Sequence, residues 1–209
     1  MKILAFSDLH GEEAALEALK RQAKKYDYVF ACGDISRNVF FAEGFKKALP
    51  DALVIPGNWD SEVANDVLST APHWLHRKRE ELSDGLNAVG FGFSPPTPFR
   101  TFGELGEDKI LAQMTDLPID ANTLLMLHCP PRGHFDVGML GRHIGSESIL
   151  KIIREKQPLA AFFGHAHEVM GTAKLGTTTL VKLPPANAMR ACSLDIRDKN
   201  ITAEFITMR

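Results

Sequence analysis

Short apolar runs that each end in acid, amide or imidazole residues recur along this chain, and that recurrence limits the folds open to it. Ile3-Leu4-Ala5-Phe6 leads into Ser7-Asp8-Leu9-His10-Gly11. Residues 26–32 end in Gly33-Asp34, and residues 52–55 end in Pro56-Gly57-Asn58-Trp59-Asp60. Residues 123–127 run into His128-Cys129-Pro130-Pro131, and residues 159–163 into Gly164-His165-Ala166-His167. Short apolar runs bounded by turn residues read as buried strands. Ligands of open α/β sheets bind beyond the carboxyl ends of the strands, so these polar endings are expected along one edge.

The segments between the strands read mainly as helices. Residues 12–25 carry Ala15, Leu16, Leu19 and Ala23 at helical spacing, with acids in the first turn and bases in the last. Strand, helix, strand over residues 2–32 implies a parallel pair joined by a right-handed crossover. Further helices are expected over 40–49, from a Ser61 cap to about Leu68, over 105–114, and from a Ser146 cap through Gln157. Residues 86–93, 177–183, 189–196 and 201–208 read as strands, with Asp198-Lys199-Asn200 as the last hairpin turn. Ser94-Pro95-Pro96-Thr97-Pro98-Phe99 is a stiff loop that either rims a pocket or turns a corner. Residues 132–145 read as a long loop. Residues 72–85 are charged and read as a solvated surface segment, with His73 and His76 as ordinary histidines. The fold class is α/β, and residues 1–209 are expected to form a single domain.

Charge and cysteine content narrow the partners. The net charge of -2 argues against long nucleic acid and against an anionic membrane. It leaves room for a nucleotide or a short nucleic-acid end, because bound metal adds local positive charge. Cys32, Cys129 and Cys192 are far apart in apolar surroundings, so neither a disulfide framework nor structural zinc is expected, and a reducing compartment fits. The apolar run before Asp8 is too short for a signal peptide or a membrane span, which gives the expectation of a cytoplasmic protein.

Asp8 and His10 are two residues apart, so on an extended strand end they point to the same side. With Asp34, Asn58, His128, His165 and His167 they make seven oxygen and nitrogen donors delivered by five strand ends. Mixed carboxylate, amide and imidazole donors without thiolate suit manganese, iron, cobalt, nickel or zinc. Seven donors exceed what one ion with open positions takes. They fit two ions about 3.5–4 Å apart that share a carboxylate.

The ordered set Asp-x-His, Gly-Asp, Gly-Asn-x-Asp, His and Gly-His-x-His resembles the calcineurin-like metallophosphoesterases over residues 7–167. Within that family, Ser94–Phe99 and the run His128-Cys129-Pro130-Pro131-Arg132-Gly133 resemble the small prokaryotic phosphoesterases. The resemblance implies two packed mixed β-sheets flanked by helices, a four-layer α/β/β/α sandwich. It implies two divalent metal ions per chain, with manganese expected and iron, nickel, cobalt, zinc or magnesium as alternatives. Asp8, His10 and His167 would hold the first, Asn58, His128 and His165 the second, and Asp34 would bridge both. Asp34, Asn58 and His128 would also serve catalysis, with Asn58 binding substrate.

The activity implied is hydrolysis of a small-molecule phosphate ester, a diester before a monoester, by a two-metal-activated hydroxide. A nuclease acting on short nucleic acid and a non-catalytic scaffold are the alternatives, and a homodimer is an admissible assembly. Two positions depart from the family pattern. Trp59 stands where many members have a histidine thought to assist the leaving group, and an indole cannot titrate. Leu183-Pro184-Pro185 stands where an Asn-Pro-Gly type loop is expected. Arg37, Arg132, His134, Arg142 and His143 lie in loops that could face the site, with solvated surface as the plainer role.

Overall fold

A computed structural model describes residues 1–138 and 141–208. Two sheets form. In the first, β1 (Lys2–Phe6), β2 (Tyr28–Cys32) and β3 (Ala52–Ile55) are parallel. β10 (Arg190–Arg197) runs antiparallel to β1, and β11 (Asn200–Thr207) closes that edge, giving the order β11-β10-β1-β2-β3. The second sheet holds β4 (Arg79–Glu81), β5 (Asn87–Phe91), β6 (Thr123–Leu127), β7 (Ala160–Phe163), β8 (Gly171–Leu175) and β9 (Thr178–Lys182). Its order is β4-β5-β6-β7-β9-β8, with β5, β6, β7 and β9 parallel. The helices are α1 (Glu13–Ala23), α2 (Val39–Ala48), α3 (Glu62–Ser69), α4 (Glu107–Thr115) and α5 (Glu147–Lys156).

Side chains alternate across each strand, so each sheet presents two faces, and here both are covered. Leu4, Phe6, Ala31 and Val54 pack under Leu16, Leu19, Phe41, Phe45 and Leu68 of α1–α3. Ile3, Ala5, Phe30 and Leu53 face Ala88, Leu124, Met126, Phe162 and Val181 of the second sheet, with the Phe30 and Phe162 rings edge to face at 5.7 Å. Val89, Phe91, Leu125, Leu127 and Phe163 pack under Ile110, Met114, Ile149, Ile152 and Ile153 of α4 and α5. Three buried cores therefore separate four layers, which is the α/β/β/α order implied by the resemblance. Burial on both faces explains why these strands read as unbroken apolar runs.

The predicted caps form: Ser61 Oγ accepts from the Ala64 N–H at 3.3 Å and Ser146 Oγ from the Ile149 N–H at 3.1 Å. Two segments differ from expectation. β8 is a five-residue edge strand whose exposed Thr172 and Lys174 alternate with half-buried Ala173 and Leu175, an apolar alternation too short to mark a strand in the sequence. Residues 72–85 are not simply solvated. Leu75 is buried, Trp74 bridges Val54 of the first sheet, and His76 bridges Gly90 of the second. The segment straps the two sheets together, and its charges lie on the outer side of that strap. No helix among the described residues is long and apolar enough to cross a membrane.

Candidate metal centre

The turns beyond the strand ends lock together through backbone bonds. The Asp8, His10 and Gly11 N–H groups donate to the carbonyls of Gly33, Asp34 and Ile35 at 3.0, 2.9 and 2.9 Å. The Ala186 and Asn187 N–H groups donate to the Ser7 and Asp8 carbonyls at 2.8 and 3.1 Å. Leu183-Pro184-Pro185 thus leads into a clamp over the first turn, which gives that departure from the family pattern a structural role. Asp60 is buried, and its two oxygens accept from the Ser36 and Gly57 N–H groups at 2.8 Å each, tying the second turn to the third.

Four of the seven predicted donors sit at positive φ: Asp8 at 59°, His10 at 51°, Asp34 at 55° and His165 at 70°. Such backbone costs of order 1–3 kcal/mol per residue for a side chain other than glycine, and it persists where the surroundings over-determine it. Space is as constrained as the backbone. A Cβ on Gly57 would strike the Asp34 carboxylate, and one on Gly164 would strike Ser7 and Asp8.

The structure brings all seven predicted residues to one place. The donor atoms of Asp8, His10 and His167 lie within 4.8 Å of one another, and so do those of Asp8, Asp34 and His128. Asp8 Oδ1 is 3.2 Å from His167 Nε2 and 3.9 Å from His10 Nε2. The Asp34 carboxylate points both ways, with Oδ2 3.8 Å from His10 Nε2 and Oδ1 3.4 Å from His128 Nε2. Asn58 Oδ1 lies 2.9 Å from His128 Nε2. The His165 ring stands edge to face against His128 at 5.1 Å.

The donor set fits a cation on three counts. His165 Nε2 is buried without a hydrogen-bond partner and buried Asp8 Oδ1 has only His167 Nε2 beside it at 3.2 Å, which is costly for polar atoms unless something else compensates them. Burial disfavours the Asp34 anion, and the neighbouring Asp8 and Asp60 charges add to that, so its carboxyl rises well above the usual range without a counter-charge. Burial also lowers the pKa of His10 and His128 and brings His165 to about 3, which keeps these imidazoles in the neutral, ligating form. Burial opposes ionisation of Asp8 too, but His167, His128 and Lys182 outweigh it and hold that carboxyl low.

Lys182, Thr101 and Glu104, near the cluster, were not anticipated. Lys182 is fully buried, donates from Nζ to the Leu183 carbonyl at 2.8 Å, and is brought to about 8 by burial. Its position at a strand end offers no sequence signal of burial. Ser94–Phe99 rims the site: Phe99 packs edge to face on Trp59 at 5.8 Å. The adjoining Thr101 Oγ1 accepts from Asn58 Nδ2 at 2.9 Å and donates to Glu104 Oε1 at 2.6 Å. Arg37 lies over the Trp59 ring at 5.5 Å. Arg132 and His143 instead turn to Asp136 within their own loop. His73 pairs with Glu80 at 2.9 Å, and His76 accepts from the Gly92 N–H at 3.0 Å. Neither joins the cluster. The three cysteines are buried and free.

A polar cluster with facing carboxylate, imidazole and amide donors at the strand ends of a double-sheet sandwich defines a metallophosphoesterase-type architecture. The chain belongs to the calcineurin-like phosphoesterase superfamily, whose domain model matches residues 1–184. It is 32% identical over 197 residues to the uncharacterized protein MJ1162 of Methanocaldococcus jannaschii, covering 88% of each chain. Its fold is similar to that of a novel archaeal phosphodiesterase, with a TM-score of 0.57, 14% identity and coverage of 99% of this chain and 100% of that one. It is also similar to that of a dimetal phosphatase from Danio rerio, with a TM-score of 0.58, 10% identity and coverage of 100% and 99%.

Proposed function

We propose that the seven residues hold two divalent cations and that the chain hydrolyses a phosphate ester, a diester in preference to a monoester. The observation that carries this reading is the Asp34 carboxylate, whose oxygens face His10 on one side and His128 on the other. One carboxylate between two groups of imidazole donors is what a pair of ions requires. Asp8, His10 and His167 form one group, and Asn58, His128 and His165 the other. Two cations held there would acidify water to a nucleophile at neutral pH and offset charge on the phosphoryl oxygens.

The chain's own residues supply the rest. Asp34 offsets charge on both sides at once. Asn58 contributes a neutral oxygen and so adds no repulsion against a phosphate. Its amide donates one hydrogen to Thr101, and the second is free to bind a phosphoryl oxygen. His128 is held in one tautomer by the bond from Nδ1 to the Cys32 carbonyl at 3.0 Å. Trp59 carries no titratable proton, so the leaving oxygen departs as an anion or is protonated by solvent. Carboxylate, imidazole and amide donors without thiolate suit manganese, iron, cobalt, nickel or zinc, and the family resemblance makes manganese the first of these. The free cysteines suit a reducing compartment such as the cytoplasm, and the shared cores suit one domain.

Turnover of bis-nitrophenyl phosphate and of nitrophenyl phosphate, measured across a metal panel with a chelated control, tests the reading. Metal-dependent cleavage with the diester preferred is expected. No cleavage of either ester with any metal contradicts it.

A further inference from the structure

Lys182 is the one buried lysine or arginine among the described residues, and the seven donors leave it without a role. It ends β9 opposite Phe163, where the Leu183 N–H donates to the Phe163 carbonyl at 2.8 Å. Phe163 leads through Gly164 into His165 and His167. Beyond Lys182 the chain turns to Asp8: Pro185 bridges Ser7, and the Asn187 N–H donates to the Asp8 carbonyl at 3.1 Å. Lys182 is therefore built in between the strand end that leads to two of the imidazoles and the turn that carries Asp8.

Its own contacts do not explain the charge. Nζ donates to the Leu183 carbonyl at 2.8 Å and to no other group among the described residues, so most of its donor capacity is unserved. No carboxylate pairs with it directly, and Asp8 and Glu168 act on it at longer range. Burying an ammonium without a paired carboxylate is costly, and a methionine would fill a similar volume without that cost. What needs a reason is the charge, not the aliphatic stem.

The balance of charge around the centre supplies one. Asp8, Asp34 and Asp60 are all buried there, and burial favours the neutral form of His10, His128 and His165. Lys182 attracts Asp8 across this interior. Divalent cations held by the same carboxylates meet the ammonium as a like charge, in surroundings that screen poorly.

We propose that Lys182 is a positioning residue of the metal centre: a fixed counter-charge to the buried carboxylates before cations bind, and a like charge that loosens the hold on them afterwards. The centre is thereby tuned to exchange its cations rather than to lock them in. The inference rests on the reading that the seven donors hold divalent cations.

Calorimetric titration of manganese chloride into the chelator-stripped full chain tests it, with wild type, Lys182→Met and Lys182→Arg compared. Lys182→Met removes the charge at similar volume and should bind manganese at least about tenfold more tightly than wild type. Damage to the site weakens binding, so the direction of the change separates the charge from a merely structural role. Lys182→Arg keeps the charge and should bind as wild type does. Thermal unfolding gives a second reading: the gap between midpoints with manganese and with chelator should be wider in Lys182→Met than in wild type. Unchanged or weaker binding in Lys182→Met would overturn the proposal and leave the metal reading standing, as would equal tightening in Lys182→Arg. Wild type that binds no manganese would remove both.

Discussion

His128 Nε2 faces Asn58 Oδ1 at 2.9 Å with no hydrogen available between them. The ring's proton is on Nδ1, donated to the Cys32 carbonyl at 3.0 Å, and burial keeps the imidazole neutral. Two acceptors held this close repel unless a cation lies against both. Asp34 Oδ1, 3.4 Å from the same nitrogen, adds a third. Divalent metal should therefore stabilise the fold itself. Metal at about 100-fold above its dissociation constant is worth ~2.7 kcal/mol. Thermal unfolding with manganese and with chelator should show that gap in wild type and lose most of it in His128→Ala. Equal midpoints with and without metal in wild type would contradict the assignment.

Thr101 positions the Asn58 amide and is itself held by Glu104. Thr101→Val removes the acceptor for the amide hydrogen and frees the amide to rotate. Loss of one such hydrogen bond is worth ~1 kcal/mol, so diester turnover should fall by roughly tenfold or less. Bound metal should change little. A kinetic comparison with metal content measured in parallel checks this, and unchanged turnover would show that the amide needs no such support.

Trp59 offers the ester oxygen no proton at the position where many family members carry a histidine. Phenolic diesters should be cleaved far faster than alkyl diesters, since general acid catalysis typically contributes ~10²–10⁴-fold. Trp59→His should narrow that difference by helping poor leaving groups more than good ones. A leaving-group series on both proteins at equal metal content reads the slope directly. Parallel slopes would mean that position 59 does not govern leaving-group protonation.

His76 ties acid stability to the strap between the sheets. Burial lowers its pKa to about 4, and Nδ1 accepts from the Gly92 N–H, which requires the neutral ring. Its unfolded value is 6.5, so below that pH the unfolded chain binds the extra proton first. The stabilisation is complete above pH 6.5 and is lost as pH falls towards 4, by at most about 3 kcal/mol. Denaturant unfolding of wild type and His76→Phe should show a stability difference that moves in favour of the variant across that window. A difference independent of pH would place the titration elsewhere.

Much of this site was legible because its residues end apolar runs. Asp8, Asp34, Asn58, His128 and His165 each follow a strand whose two buried faces make the run continuous, so the sheet edge could be read from the chain. Lys182 was not legible, because a lysine ending a strand reads as a solvated rim and only the packed structure buries it. Residues 72–85 were misread because their charges outnumber the few anchors, Leu75 above all, that dock them on both sheets. β8 offers only Ala173 and Leu175 as apolar residues in alternation, and its pairing with β9 is fixed by tertiary context. The proline-rich loop left two roles open, and only the contact of Phe99 with Trp59 chose between them.

The central claim is that Asp34 bridges two ions. Metal content per chain, measured by elemental analysis after manganese loading and removal of free metal, tests it most directly in wild type and Asp34→Asn. The account predicts two ions per wild-type chain and fewer in the variant, with turnover falling alongside. An Asn variant that keeps two ions per chain and near-normal turnover would contradict it.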